Sequence, residues 1–164
     1  MTMDYNALAL TIGLFSAIFA VVAVWLESRR SRIALQADLL LKLNERFYGP
    51  QLLKWRQTAA RKLLKEEYPN HELEDLLDFF WVVAKLVQRK AIDARLAYDS
   101  FEYWIVRYWQ CAEKLVEESR RYDSESWEAV EQLSNKLAAE RSKMTQPPLT
   151  KEERVRFLKE EARD

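Results

Sequence analysis

Side chains that could perform chemistry are few in this chain and lie far apart. There is one histidine, His71, and it precedes the acidic residues Glu72, Glu74 and Asp75. A metal site needs several such ligands converging on one ion. On a helix His71 shares a face with Asp75, but acidic residues in a first helical turn are also typical of an ordinary helix N-terminus. We therefore predict neither a metal site nor a cofactor.

Nucleophilic catalysis is also not indicated. The single cysteine, Cys111, would need a neighbouring base and access to solvent. It lies beside Ala112 in an aromatic-rich segment, which indicates an inert, partly buried thiol. The two glycines, Gly13 and Gly49, are too far apart to form a phosphate-binding loop. We predict no catalytic residues and no enzymatic activity.

Four charged residues lie among aromatic ones: Asp78, Lys85, Asp99 and Arg107. Buried charges require partners, so we predict a structural ion pair between Asp78 and Arg107 that joins the third and fourth helices of the domain. The alternative is that these residues form a polar ligand-binding site.

The element that limits where these residues act is an apolar run from Ala7 to Leu26. It contains no charged residue, and Glu27 and a basic cluster follow it directly. Twenty helical residues span about 30 Å, the thickness of the hydrocarbon core of a bilayer. A signal peptide would have a basic segment before the run, and a soluble core helix would have a polar stripe. We therefore predict a single transmembrane helix over residues 7–26.

The flanking charges predict the orientation of this helix. Arg29, Arg30 and Arg32 follow the run, whereas residues 1–6 contain no Lys or Arg. Basic flanks remain cytoplasmic, so we expect residues 1–6 outside and the rest of the chain in the cytoplasm. The three arginines are then candidates for contacts with lipid headgroups. Within the run, Ala9, Gly13 and Ala17 recur every four residues, a spacing that permits self-association of membrane helices.

Residues 27–144 are predicted to form a compact all-α bundle of about four to five helices, because glycine and proline are rare and no alternating strand pattern occurs. Tyr48-Gly49-Pro50 is expected to end the first helix. Asn70 is expected to cap the third, central helix, and Asp99 with Glu102 resembles a capping box for the fourth. The other predicted helices cover about Gln51 to Tyr68 and Glu125 to Met144, and the fourth continues to about Arg121.

Residues 145–164 are predicted to form a linker containing Pro147 and Pro148, followed by a charged helix. Thr150 and Glu153 form a second candidate capping box. The apolar residues of this helix are Val155, Phe157 and Leu158. It could dock on the domain, remain separate or fold on a partner.

Basic residues predominate next to the apolar run. Residues 27–65 contain ten Lys or Arg and three acidic residues. The nearest anionic surface for a tethered domain is the lipid bilayer. Nucleic acid is a less favoured partner, whose phosphates would be contacted by Arg29, Arg30, Arg32, Lys54, Arg56, Arg61, Lys62 and Lys65.

Three aromatic motifs resemble a known family. These are Leu41 to Pro50 (LKLNERFYGP), Leu76 to Phe80 (LLDFF) and Phe101 to Trp109 (FEYWIVRYW). The region from Leu35 to about Leu133 resembles the bacterial, membrane-anchored domain of unknown function 4760. The resemblance implies a membrane helix ahead of a compact helical domain, with the inner membrane of a bacterium as its location. It implies no catalytic residues.

These observations favour a single-pass membrane protein that presents a helical protein-interaction domain to the cytoplasm and has no catalytic activity. Its partner would be a protein contacted through the aromatic-rich helices or through the C-terminal segment. The alternative is a homo-oligomer whose transmembrane helices associate and perturb or gate the bilayer.

Overall fold

The chain is helical throughout the part that the computed structural model describes, which is residues 5–143 and 150–163, with side chains from residue 19 onward. Seven helices are present in those residues: α1 Tyr5–Tyr48, α2 Pro50–Lys65, α3 His71–Gln88, α4 Ala94–Cys111, α5 Glu113–Arg120, α6 Glu128–Lys143 and α7 Lys151–Glu161. The predicted all-α class is confirmed. The chain divides into two units, Met1–Leu39 and Leu40–Asp164.

The first unit consists of the N-terminal part of α1. Its described side chains are largely exposed, including Phe19 at 73% and Trp25 at 58%. Within the described residues, no helix combines the length and apolar character needed to cross a membrane. The predicted span over residues 7–26 is therefore not supported there. The side chains of residues 7–18, which include Ala9, Gly13 and Ala17, lie outside the part described.

The core of the second unit surrounds α3, as its composition predicts. This helix buries seven side chains, and the other helices contribute further large apolar groups. Phe47 from the end of α1 contacts Phe79 of α3 and Phe101 of α4, each with ring centroids 5.5 Å apart. Burying a large aliphatic or aromatic side chain contributes about 1.5–3 kcal/mol, so each of these three rings makes a substantial contribution to the stability of the unit.

Two predicted helix boundaries near α2 and α3 are confirmed. Gly49 separates α1 from α2, and a Cβ there would lie 3.1 Å from the carbonyl oxygen of Glu45, closer than ordinary packing permits. Pro50 then occupies the first turn of α2, where a missing N–H costs nothing. Asn70 caps α3, since its side-chain oxygen accepts a hydrogen bond from the amide of Leu73.

Two other boundaries differ from prediction. Helix α2 ends at Lys65, because Glu66 adopts a left-handed conformation with φ 55°. Helix α4 begins after Asp93, whose carboxylate accepts a hydrogen bond of 2.7 Å from the backbone amide of Arg95. The predicted capping box of Asp99 and Glu102 is therefore wrong, since both residues lie inside α4.

The C-terminal boundaries also differ in part. The predicted fourth helix is interrupted at Ala112, which separates α4 from α5. Helix α6 begins at Glu128 because Trp127 has a φ of 64°. The predicted capping box of Thr150 and Glu153 is confirmed at the start of α7.

Candidate carboxylate-binding surface

Helix α7 docks on the domain through a narrow apolar contact with α2 and α4. Phe157 and Leu158 are the buried residues of α7, at 2% and 7% exposure. Phe157 contacts Tyr103 and Tyr108 of α4 edge to face, with ring centroids 5.7 and 4.9 Å apart. We call the parts of α2 and α4 that contact α7 the docking surface.

A buried ion pair lies at the end of this contact. Arg56 of α2 donates from Nε to Oε2 of Glu161 and from Nη2 to Oε1, both at 2.8 Å. The two side chains are only 7% and 13% exposed. Two parallel bonds from a planar guanidinium match the geometry of a carboxylate, and charge-assisted bonds of this kind are among the strongest in proteins.

Two α4 residues complete the coordination of the Glu161 carboxylate. The indole N–H of Trp104 donates to Oε1 at 3.3 Å, and the hydroxyl of Tyr108 lies 3.1 Å from Oε2. Oε1 therefore has two donors, Arg56 and Trp104, and Oε2 has Arg56. The single hydroxyl proton of Tyr108 is donated either to Oε2 or to the backbone carbonyl of Arg56, and both oxygens lie within hydrogen-bond distance. We call Arg56, Trp104 and Tyr108 the carboxylate clamp. Its three side chains all supply donors, so it selects an anionic acceptor.

The clamp residues are held in place by their own packing. The Arg56 guanidinium lies over the rings of Phe47 and Trp104, with centroids 4.5 and 5.2 Å away. Such cation–π contacts fix the plane of the guanidinium. The Tyr108 hydroxyl also lies 3.0 Å from the backbone carbonyl of Arg56, which joins α2 to α4. The clamp is thus built by the domain and not by α7.

Electrostatics keep the clamp in its donor form. Burial, and next the negative charge of Glu161, raise the pKa of Tyr108 well above its ordinary value. Tyr108 therefore remains protonated at neutral pH and can donate. An arginine does not lose its proton in this range either. The site can therefore bind and orient a carboxylate.

The family model for a domain of unknown function, DUF4760, matches residues 7–137, which is most of the chain. The chain belongs to the DUF4760 family. No curated protein and no solved structure matches it. The matched region contains all three residues of the clamp, whereas α7 with Glu161 lies beyond it. The family predicted from the resemblance of Leu35 to about Leu133 is therefore confirmed.

In this DUF4760 member the predicted ion pair between Asp78 and Arg107 is wrong. Asp78 is exposed on α3, and its pKa is raised by partial burial and by the neighbouring acids Asp75 and Glu74. The Arg107 guanidinium lies instead over the Tyr103 ring, 3.8 Å from the ring centroid. Its Nη1 donates a hydrogen bond of 2.9 Å to the backbone carbonyl of Tyr103. The charged groups that act on Asp78 are thus acids of its own helix and not Arg107.

A different acid of α4 carries a buried pair. Glu102 accepts a hydrogen bond from Arg141 of α6 at 3.2 Å, and the two side chains are 11% and 14% exposed. Glu102 therefore forms an ion pair and does not cap a helix. The pair joins α4 to α6, and Glu102 lies two residues before Trp104 of the clamp.

The residues considered for catalysis occupy unreactive environments. His71 is exposed, and its Nδ1 lies 3.2 Å from Oε2 of Glu74 rather than beside Asp75. Burial raises the pKa of the Cys111 thiol to about 11, so the thiol is protonated at neutral pH. Within the described residues, no group of three or more His, Cys, Asp or Glu side chains could hold a metal ion.

The predicted lipid-contacting arginines, Arg29, Arg30 and Arg32, are exposed on α1. Arg29 lies over the ring of Trp25 at 5.6 Å from its centroid. Arg56, one of the residues proposed for phosphate contacts, is buried and paired with Glu161, so it does not belong to an exposed basic surface.

Sequence reasoning missed the clamp, although part of its signal was present. Arg56 lies four residues after Leu52 and four before Ala60, so it occupies the apolar stripe of α2. A charged residue at such a position requires a buried partner. Glu161 lies four residues after Phe157 and therefore on the same face of α7. The sequence pattern does not show that α2 and α7 pack against each other.

Proposed function

We propose that this chain is a single-pass membrane protein of the bacterial inner membrane that presents a helical protein-interaction domain to the cytoplasm, without catalytic activity. The observation that carries the interaction role is the docking surface. It binds an amphipathic helix through two apolar side chains and one carboxylate. Surfaces rich in Tyr, Trp and Arg are typical of protein interfaces, and the clamp consists of these three residue types.

The membrane role is supported by the sequence and by the exposed part of α1. Residues 7–26 contain no charged residue. The described side chains at the end of this run include Phe19, Val21 and Val24, which are 73%, 69% and 67% exposed. Consecutive large apolar side chains without protein neighbours are typical of a surface that contacts lipid or another protein.

Orientation is inferred from the arginines that follow this run. Arg29, Arg30 and Arg32 are exposed, and Trp25 lies just before them. Basic residues and a tryptophan at this boundary are typical of the cytoplasmic interface. The arginines would then contact anionic headgroups, each contributing about 1 kcal/mol.

Cysteine labelling in intact cells tests both the span and its orientation. In a Cys111→Ala background, one variant carries Asn6→Cys and a second carries Tyr122→Cys, at a side chain that is 94% exposed. A membrane-impermeant maleimide is expected to label position 6 in intact spheroplasts and position 122 only after permeabilisation. Recovery of the protein in the soluble fraction, or labelling of position 122 from outside, would contradict the proposal.

The alternative function is a homo-oligomeric membrane effector, and the spacing of Ala9, Gly13 and Ala17 favours it. Native mass spectrometry in mild detergent distinguishes the two. A homo-oligomer that dissociates on Gly13→Leu would support the effector. A monomer, or an assembly unchanged by Gly13→Leu, would support the interaction domain.

A further inference from the structure

Helix α7 has the features of a ligand bound to a preformed site. All the donors that coordinate its carboxylate come from α2 and α4, and α7 contributes the acceptor. The donors lie inside the region matched by the DUF4760 family, and α7 lies outside it. The docking surface and its occupant are therefore separable parts of the chain.

The attachment of α7 is shallow. Only Phe157 and Leu158 are buried, while most of the remaining side chains of this eleven-residue helix are exposed. An isolated helix of this length is marginal in water, although the capping box of Thr150 and Glu153 supports its first turn. Helix α7 is held by these two apolar side chains, by hydrogen bonds of Arg154 and Gln57 to backbone carbonyls, and by the Glu161 carboxylate. Of these contacts, the one with Glu161 is the largely buried ion pair.

If α7 left the docking surface, a helix that replaced it would have to supply an anionic partner for Arg56. Among the described residues, Glu161 is the acidic side chain that pairs with Arg56. Without it, Arg56 would remain over the rings of Phe47 and Trp104, open to water but lacking its anionic partner. A guanidinium held in this orientation favours a ligand that returns a carboxylate to the same place.

We propose that α7 is a displaceable, autoinhibitory occupant, and that the docking surface binds an amphipathic helix of another protein that carries a glutamate four residues after a phenylalanine. This inference deepens the proposed function and rests on it, because it names the chemistry of the partner. The charge complementarity of Arg56 for a carboxylate and the fit of Phe157 against Tyr108 define the pattern, Phe-Leu-x-x-Glu. A partner with this pattern would replace α7 on the surface.

The test uses the full-length chain in lipid nanodiscs and a fluorescein-labelled peptide of residues 150–164, followed by anisotropy. Glu161→Gln in the chain weakens the internal occupant while leaving the clamp intact. We expect this variant to bind the peptide at least tenfold more tightly than the unsubstituted chain does. The matched chain control is Glu152→Gln, which removes the same charge from an exposed position of α7 and should bind as the unsubstituted chain does.

Peptide variants test whether the clamp recognises the carboxylate of Glu161. A peptide with Glu161→Gln should bind at least tenfold more weakly than the natural peptide, whereas Glu152→Gln, which changes an exposed acid in the first turn of the same helix, should have little effect. Equal binding of the three peptides would overturn the proposal.

A second chain variant prevents an ambiguous negative result. Phe157→Ala and Leu158→Ala combined with Glu161→Gln remove the two buried apolar side chains and the paired carboxylate of α7, so we expect the docking surface to be vacated. Absence of peptide binding to this variant, with its helix content retained by circular dichroism, would overturn the proposal. A dimer of the unsubstituted chain that exchanges α7 between copies would also overturn it, in favour of a second copy as occupant. Failure of the cysteine-labelling test would instead contradict the membrane role alone.

Discussion

The ion pair between Arg56 and Glu161 predicts a strong energetic coupling between α2 and α7. Both side chains are largely buried, at 7% and 13% exposure, and they share two hydrogen bonds of 2.8 Å. Removing one member of a buried pair typically costs about 3–5 kcal/mol, because the remaining charge loses its partner. Glu161 lies at the end of a surface helix, so we expect the lower end of this range for Glu161→Gln.

The docking of α7 sets an upper limit to this cost. If α7 detaches, Arg56 becomes accessible to water and the penalty of an unpaired charge decreases. Burial of Phe157 and Leu158 contributes roughly 3–6 kcal/mol before the entropy of ordering the helix is subtracted. The loss for either Glu161→Gln or Arg56→Met should therefore be about 3 kcal/mol and not much larger.

A double-mutant cycle measures the coupling. Arg56→Met, Glu161→Gln and the double variant are unfolded in urea with tryptophan fluorescence as the signal. The double variant should lose little more stability than either single variant, which gives a coupling of about 2 kcal/mol. Glu152→Gln combined with Arg56→Met is the control and should be additive. Additive losses in the main cycle would refute the assignment of this pair as the main attachment of α7.

Three further predictions concern other parts of the domain. Asn70→Ala should lower the free energy of unfolding by about 2–3 kcal/mol in thermal denaturation, because Asn70 is fully buried and caps α3. The raised pKa of Asp78 means that its contribution to stability is present below pH 3.8 and is lost as pH rises through its higher folded-state pKa. Asp78→Asn should therefore stabilise the protein at pH 7 by a few tenths of a kcal/mol, and urea titrations should show the gain disappear at low pH. Cys111, with a pKa of about 11, should react with iodoacetamide at pH 8 roughly two hundredfold more slowly than a free cysteine in a rate measurement.

Local features of the fold were predictable because their causes are local. The Asn70 cap, the break at Gly49 and Pro50 and the capping box of Thr150 depend on neighbouring residues along the chain. The central position of α3 follows from its apolar composition. The family resemblance is likewise carried by short aromatic motifs.

The pairing of charges was not predictable in the same way. Asp78 and Arg107 are both near aromatic residues, yet which side of α3 faces α4 depends on how the helices rotate against each other. Arg56 and Glu161 are 105 residues apart. Their contact depends on where α7 docks. The periodicity of apolar residues identifies the buried face of each helix, but it does not identify which other helix packs against that face.

The most direct test of the account is hydrogen exchange of the full-length chain under native conditions, comparing the unsubstituted protein with Glu161→Gln and Glu152→Gln. If the carboxylate of Glu161 holds a displaceable helix, Glu161→Gln should increase exchange of the α7 amides at least tenfold and leave the amides of α3 unchanged. Glu152→Gln should leave both helices unchanged. Equal protection of α7 in all three proteins would contradict the claim that one carboxylate controls access to the docking surface.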